Sequence, residues 1–216
     1  MIERAIATAI HGRYVADVEP ASVPPPLLVG FHGYAESAEQ QLERLRSIPG
    51  AQDWLRISIQ GLHRFYRGRG DDVVASWMTR QDRDRAIVDN VAYVAAVLDD
   101  IARVCFVAPT TAFAGFSQGV SMAFRAAAGA GPRAAGIIAL GGDIPPELEA
   151  DALRRIPAAL IGRGLSDAVY SATAFDSDVA RLRAAGVRVV PVVFEAGHEW
   201  TDAFGEAAGR FLAELK

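Results

Sequence analysis

Apolar residues run along this chain in two alternating rhythms. Leu27-Leu28-Val29-Gly30-Phe31 is an unbroken apolar run, the pattern of a strand covered on both faces. Residues 37–48 then take helical spacing, with Ser37 placed as a cap and Glu and Gln close behind it. Residues 54–59 read as a strand. Residues 83–103 carry Ile87, Val91, Val94, Ala95 and Leu98 on one stripe, which predicts a long helix. Strands are expected at 111–115 and 134–140, separated by an Ala-rich helical pattern over 120–128. A short helix at 147–155, a strand at 157–161, a helix at 172–185, a strand at 187–194 and an amphipathic helix at 201–215 complete the alternation.

Ahead of these elements, residues 5–10 and 13–18 read as two short strands with His11-Gly12 at the turn. Val23-Pro24-Pro25-Pro26 separates that hairpin from the rest. Strands alternating with helices predict an α/β fold, with a mostly parallel sheet of about eight strands covered on both faces. Residues 104–110 read either as a frayed helix end or as a separate extended piece. Segment 61–81 is the one long connection without clear periodicity, and it carries Arg64, Arg67, Arg69, Phe65, Tyr66 and Trp77. Connections of that length commonly carry function.

Composition narrows the classes. At 216 residues the chain suits a single domain spanning 1–216, and 51% hydrophobic with 22% charged residues is ordinary for a folded soluble protein. A formal net charge of −4 gives no footprint for nucleic acid. No apolar run is long enough to span a bilayer, and the amino terminus does not read as a secretory signal. Cys105 is the one cysteine, so neither an intrachain disulfide nor a cysteine-based metal site is expected. A cytoplasmic location is the default.

The chemistry begins at Gly115-Phe116-Ser117-Gln118-Gly119. A strand feeds this Gly-x-Ser-x-Gly and a helix leaves it, which is the context for a serine projected above a sheet edge. A serine hydroxyl needs a base, and the base needs an acid to hold its tautomer. Strand-turn-helix serines of this type take their acid and base in the order Ser, Asp or Glu, His. Of the four histidines, His11, His32 and His63 precede Ser117, which leaves His198 just past the strand that ends near Phe194. Asp167, in Gly164-Leu165-Ser166-Asp167, is the candidate acid, with Asp143 its competitor one strand earlier. The amide of Gln118, at a helix start, and the amide of Tyr34, in Phe31-His32-Gly33-Tyr34, are the candidate oxyanion donors. His32 reads as a structural residue bonded to loop backbone. Trp77, Phe116, Leu165 and Trp200 are candidate apolar lining of the cleft. Arg64, Arg67 and Arg69 read as a solvated group paired with Asp71 and Asp72.

With these residues in place the chain resembles the phospholipase/carboxylesterase family of α/β-hydrolases, which includes the acyl-protein thioesterases. The likeness runs from His32-Gly33 through Gly115-Phe116-Ser117-Gln118-Gly119, Ala139-Leu140-Gly141-Gly142 and Asp167 to Gly197-His198. It implies an acyl-serine mechanism acting on carboxylic esters or thioesters of short to medium acyl chains, with no cofactor and no metal. The partners it implies are small-molecule ester or thioester substrates, and it admits a homodimer. Four positions depart from the family pattern. Tyr34-Ala35-Glu36-Ser37 stands where a second glycine and an acid are usual, and Val120 follows Ser-Gln-Gly where a glycine is common. Arg163-Gly164 replaces His-Gly, and a tryptophan-phenylalanine-aspartate segment appears only as Trp77-Met78-Thr79. The short connection 141–155 leaves no room for a cap domain. The rival readings are an acyltransferase, carbon–carbon hydrolase or lyase using the same three residues, and a non-catalytic binding module.

Overall fold

A computed structural model describes residues 1–18, 22–129 and 133–215. Its strands are β1 (Arg13–Asp17), β2 (Leu27–Phe31), β3 (Leu55–Gln60), β4 (His63–Tyr66), β5 (Val73–Ser76), β6 (Thr111–Phe116), β7 (Ala134–Leu140), β8 (Ala158–Gly164) and β9 (Arg188–Phe194). Its helices are α1 (Ala38–Ser47), α2 (Arg83–Val104), α3 (Gln118–Gly129), α4 (Ala150–Leu153), α5 (Ala172–Ala184) and α6 (Asp202–Ala213). The central sheet has seven strands in the order β1-β3-β2-β6-β7-β8-β9. Only β1 runs antiparallel to its neighbour; every other pairing in that sheet is parallel.

The alternation of side chains along the strands sorts the core into two layers. Val29, Phe31, Phe113, Ile137, Ala159 and Ile161 face one way and are covered by α2, α3 and α5. Leu28, Ala112, Ala114, Ile138, Leu140 and Leu160 face the other way, under α1 and α6. Burial of each large side chain in these layers is worth about 1.5–3 kcal/mol. Ser37 caps α1 with a reciprocal bond to Gln40, and Thr201 caps α6 through Phe204. Among the described residues no helix is long and apolar enough to cross a membrane.

Two expectations need correction. Residues 5–10 form no strand, so the sheet has seven strands rather than about eight. The Tyr93 hydroxyl accepts from the Arg13 amide at 2.8 Å and donates to the Arg13 carbonyl at 2.7 Å, occupying main-chain groups that a pairing strand would use. Ile2, Ile6 and Ile10 are left exposed. Segment 61–81 is more ordered than its pattern suggests, because β4 and β5 pair as an antiparallel hairpin. With four residues each, these strands are too short for periodicity to register. At the carboxyl end of α2 the helix closes at Val104, and residues 105–110 are neither helix nor strand.

Candidate active site

Ser117 sits between β6 and α3 with a φ of 52°, a left-handed conformation that non-glycine residues seldom adopt. The neighbouring backbones make that turn sharp. A side chain at Gly119 would place its Cβ 2.1 Å from the Phe31 carbonyl oxygen, and one at Gly115 would meet the Gly119 carbonyl at 2.5 Å. The α3 terminus therefore lies directly on the end of β2, which carries the His32-Gly33-Tyr34 loop. The Ser117 amide donates to the Leu140 carbonyl at 2.8 Å and ties the turn to β7.

Asp167 and His198 arrive on two adjacent loops that are laced together. The Leu165 amide donates to the Phe194 carbonyl at 2.7 Å, and the Ser166 amide to the Ala196 carbonyl at 2.9 Å. One Asp167 oxygen accepts from the amides of Val169 at 2.8 Å and Tyr170 at 2.9 Å. The other lies 2.9 Å from Nδ1 of His198. Nε2 of the same ring lies 2.9 Å from the Ser117 Oγ. Burial on its own would raise the Asp167 carboxyl, but the Tyr170 amide, His198 and the Val169 amide outweigh it and hold the group below its ordinary range. An acid held in its ionised form fixes Nδ1 as the donor, so Nε2 is left to accept the serine proton. Asp143 lies past the end of β7 and is not the carboxylate that meets His198; that position belongs to Asp167.

The loop after β2 is held from four sides. His32 is fully buried, accepts from the Gly61 amide through Nε2 at 2.9 Å, and donates from Nδ1 to the Gly33 carbonyl at 2.7 Å. Burial pushes its pKa down, which keeps the ring neutral in that tautomer. The Gly33 amide donates to Glu36 at 2.7 Å, and Arg44 of α1 grips both Glu36 oxygens at 2.6 Å. Burial would raise the Glu36 carboxyl; the Arg44 hydrogen bond and charge bring it below its ordinary range instead. The hairpin supplies the third side, as Ala35 and Glu36 exchange main-chain bonds with Ala75, and Arg67 donates to the Ala35 carbonyl. Ala35 is another left-handed residue, with a φ of 57°. The fourth side is Trp77.

Trp77 is a correction to the expected lining. It is fully buried, and its indole N–H donates to the His32 carbonyl at 2.8 Å, so it supports the loop from beneath. The Gln118 side chain joins the same network, accepting from the Trp77 amide at 2.9 Å and donating to the Met78 carbonyl at 2.9 Å. The other lining candidates fall on different surfaces. Phe116 and Trp200 border a cavity of about 390 Å³ together with His198, and the Phe116 ring lies 5.1 Å from the imidazole. Leu165 is exposed on the Asp167 loop. A second cavity, of about 140 Å³, opens beside Ser117 and Gln118. Of the three arginines expected to pair with Asp71 and Asp72, Arg64 donates to the His11 carbonyl and Arg67 to that of Ala35.

No family model and no curated protein matches the chain. Solved structures do. Esterase PE8 superposes with a TM-score of 0.75 at 19% identity, over 96% of this chain and 100% of that one. The Bacillus cereus carboxylesterase gives 0.75 at 14% identity, over 95% of each chain. Acyl-protein thioesterase 2 from Zea mays gives 0.73 at 18% identity, over 95% of this chain and 99% of that one. The fold is the α/β-hydrolase fold. In this hydrolase fold the open crevice lies beyond the carboxyl ends of the parallel strands, which is where Ser117, Asp167 and His198 meet.

Sequence reasoning left three structural supports unassigned. Arg163 is buried beneath the acid loop and donates to the carbonyls of Tyr170, Leu165 and Asp167 at 3.2–3.4 Å. Tyr170 donates its hydroxyl to Asp178 of α5 at 2.9 Å. The Glu36–Arg44 pair is the third. Each joins residues whose partners no local pattern reveals; the one signal was that Arg163 and Glu36 fall where the chain departs from the family pattern. Among the described residues, no group of three histidine, cysteine, aspartate or glutamate side chains could hold a metal ion.

Proposed function

We propose that the protein is a serine hydrolase that cleaves carboxylic esters or thioesters through an acyl-serine intermediate. One observation carries the reading: the His198 ring bridges Asp167 and Ser117 with 2.9 Å on each side. The Ser117 Oγ attacks the carbonyl carbon as its proton passes to His198 Nε2. The oxygen that becomes negative is received by the amides of Gln118, at the start of α3, and Tyr34, in the loop after β2, which the close approach of Gly119 to Phe31 packs together. Collapse expels the alkoxide or thiolate, which takes the proton from His198. Water then attacks the acyl carbon, gives its proton to the same nitrogen, and releases the acid and free Ser117. Asp167 stays ionised throughout and stabilises the imidazolium. The solved structures titled esterase, carboxylesterase and acyl-protein thioesterase support the reaction class at the level of fold.

A panel of p-nitrophenyl esters from acetate to decanoate tests the reading. Turnover of the short and middle members is expected, with water as sole acceptor and the free acid as product. Ser117→Ala should lower kcat by about 10⁴-fold or more. Absence of turnover across the panel, or transfer of the acyl group to an alcohol without release of acid, would refute it.

A further inference from the structure

Two cavities lie near the catalytic residues, and their positions bear on the acyl group. His198 must hand its proton to the leaving group, so the leaving group departs on the imidazole side. The cavity of about 390 Å³ is bordered by His198, Phe116 and Trp200 and does not touch Ser117. The acyl group stays bonded to Ser117 in the intermediate, and the space of about 140 Å³ is the one that touches Ser117 and Gln118. A water molecule's share of liquid volume is about 30 Å³, so this space holds roughly four or five water-sized groups. Its size suits a short acyl group.

Its walls are mixed in polarity. Beyond Ser117 and Gln118 they are Ser121, Asp143, Tyr170 and Val169, with the main chain of two glycines. Val169 is the one aliphatic side chain among them, and it is itself exposed. The Tyr170 hydroxyl is already spent on Asp178. The Ser121 hydroxyl donates to the Asp143 carbonyl at 3.1 Å, which keeps that loop against α3. The Asp143 carboxylate makes no ion pair among the described residues, and its charge contributes to raising the pKa values of both Tyr170 and Asp178 nearby. An alkyl chain gains only part of its contact from apolar wall in such a space, whereas a hydrogen-bond donor also meets the exposed Asp143 carboxylate.

We infer that the cavity beside Ser117 binds the acyl group, and that it is matched to a short acyl group bearing an ammonium or hydroxyl one or two carbons from the carbonyl, received by Asp143. This rests on the reading of Ser117 as nucleophile and adds a substrate class to it.

Isosteric esters separate charge from size. The p-nitrobenzyl esters of glycine and propionate match atom for atom, as do those of β-alanine and butyrate. They are compared near pH 6.5, below the α-amino pKa of about 7.7–8.0, with each kcat/KM divided by the hydroxide-catalysed rate of the same ester. The corrected constant for the amino esters should exceed that of the alkyl isosteres by about tenfold or more, with the glycolate ester between them. Asp143→Asn and Asp143→Ser should each reduce the amino-to-alkyl ratio about tenfold, while p-nitrophenyl octanoate should be a poorer substrate than the acetate. A ratio at or below one, or a ratio that both Asp143 variants leave unchanged, would overturn the inference while leaving the serine hydrolase standing. Turnover of none of these esters would overturn both.

Discussion

The Glu36 carboxylate accepts the Gly33 amide at 2.7 Å. Through that contact α1 reaches the loop that carries the Tyr34 amide, because Arg44 holds the same carboxylate from the other side and lies 4.2 Å from the Phe116 ring centroid. The loop also contains left-handed Ala35, so its shape is imposed by partners rather than by local preference. Glu36→Ala removes the acceptor for Gly33 and strands Arg44. It should lower kcat by about 10–100-fold with a smaller change in KM, since a displaced oxyanion donor acts on the transition state. Glu36→Gln, which keeps an acceptor oxygen, should recover part of the loss. A full kcat in Glu36→Ala would show that the loop holds itself.

The conformation of Ser117 makes a stability prediction that is independent of activity. A φ of 52° costs a residue with a Cβ about 1–2 kcal/mol, which glycine avoids. Ser117→Gly and Ser117→Ala should both be inactive, yet Ser117→Gly should unfold at the same or a higher temperature than Ser117→Ala. The reverse order by calorimetry would mean that the turn is not strained.

Arg163 should matter to both rate and stability. Arg163→Met leaves three loop carbonyls without their donor and should destabilise the protein by about 2–3 kcal/mol in urea unfolding. It should also lower kcat by slackening the loop that presents Asp167. Arg163→Lys, with fewer and less directed donors, should fall between. Unchanged urea unfolding in Arg163→Met would remove the buttress from this account.

The displaced carboxyls fix the sign of an acid effect. Asp167, Glu36 and Glu147 have pKa values lowered in the folded state, so each contributes stability that is present above the ordinary carboxyl pKa of about 4 and is lost as pH falls through the folded value. Asp178 runs the other way. Burial raises its pKa, so the folded state retains that proton longer and loses stability as pH rises from the ordinary value through the raised one. Asp178→Asn should therefore gain in melting temperature relative to the wild type between pH 4 and 7. A difference independent of pH would contradict the burial argument.

How much of this was legible in the sequence depends on range. The strand ends, the Gly-x-Ser-x-Gly turn and the position of His198 are written in local pattern and chain order, and the side chains of Ser117, Asp167 and His198 lie together in space as that order requires. What pattern did not carry is the identity of distant partners. Trp77 reads as an aromatic on a loop, and only the position of the His32 carbonyl shows that its indole is a support. Residues 5–10 alternate like a strand, yet a tyrosine from α2 uses the Arg13 main chain beside them. The β4–β5 hairpin was hidden for a different reason: its strands are only four residues long, too short to leave a period.

Intact-mass measurement and peptide mapping after brief exposure to a fluorophosphonate ask whether Ser117 reacts through His198. A single adduct on the peptide containing Ser117 is expected, absent in Ser117→Ala and formed at least about 10³-fold more slowly in His198→Ala. An adduct on Ser121 or elsewhere, or labelling of Ser117 at an undiminished rate without His198, would contradict the account.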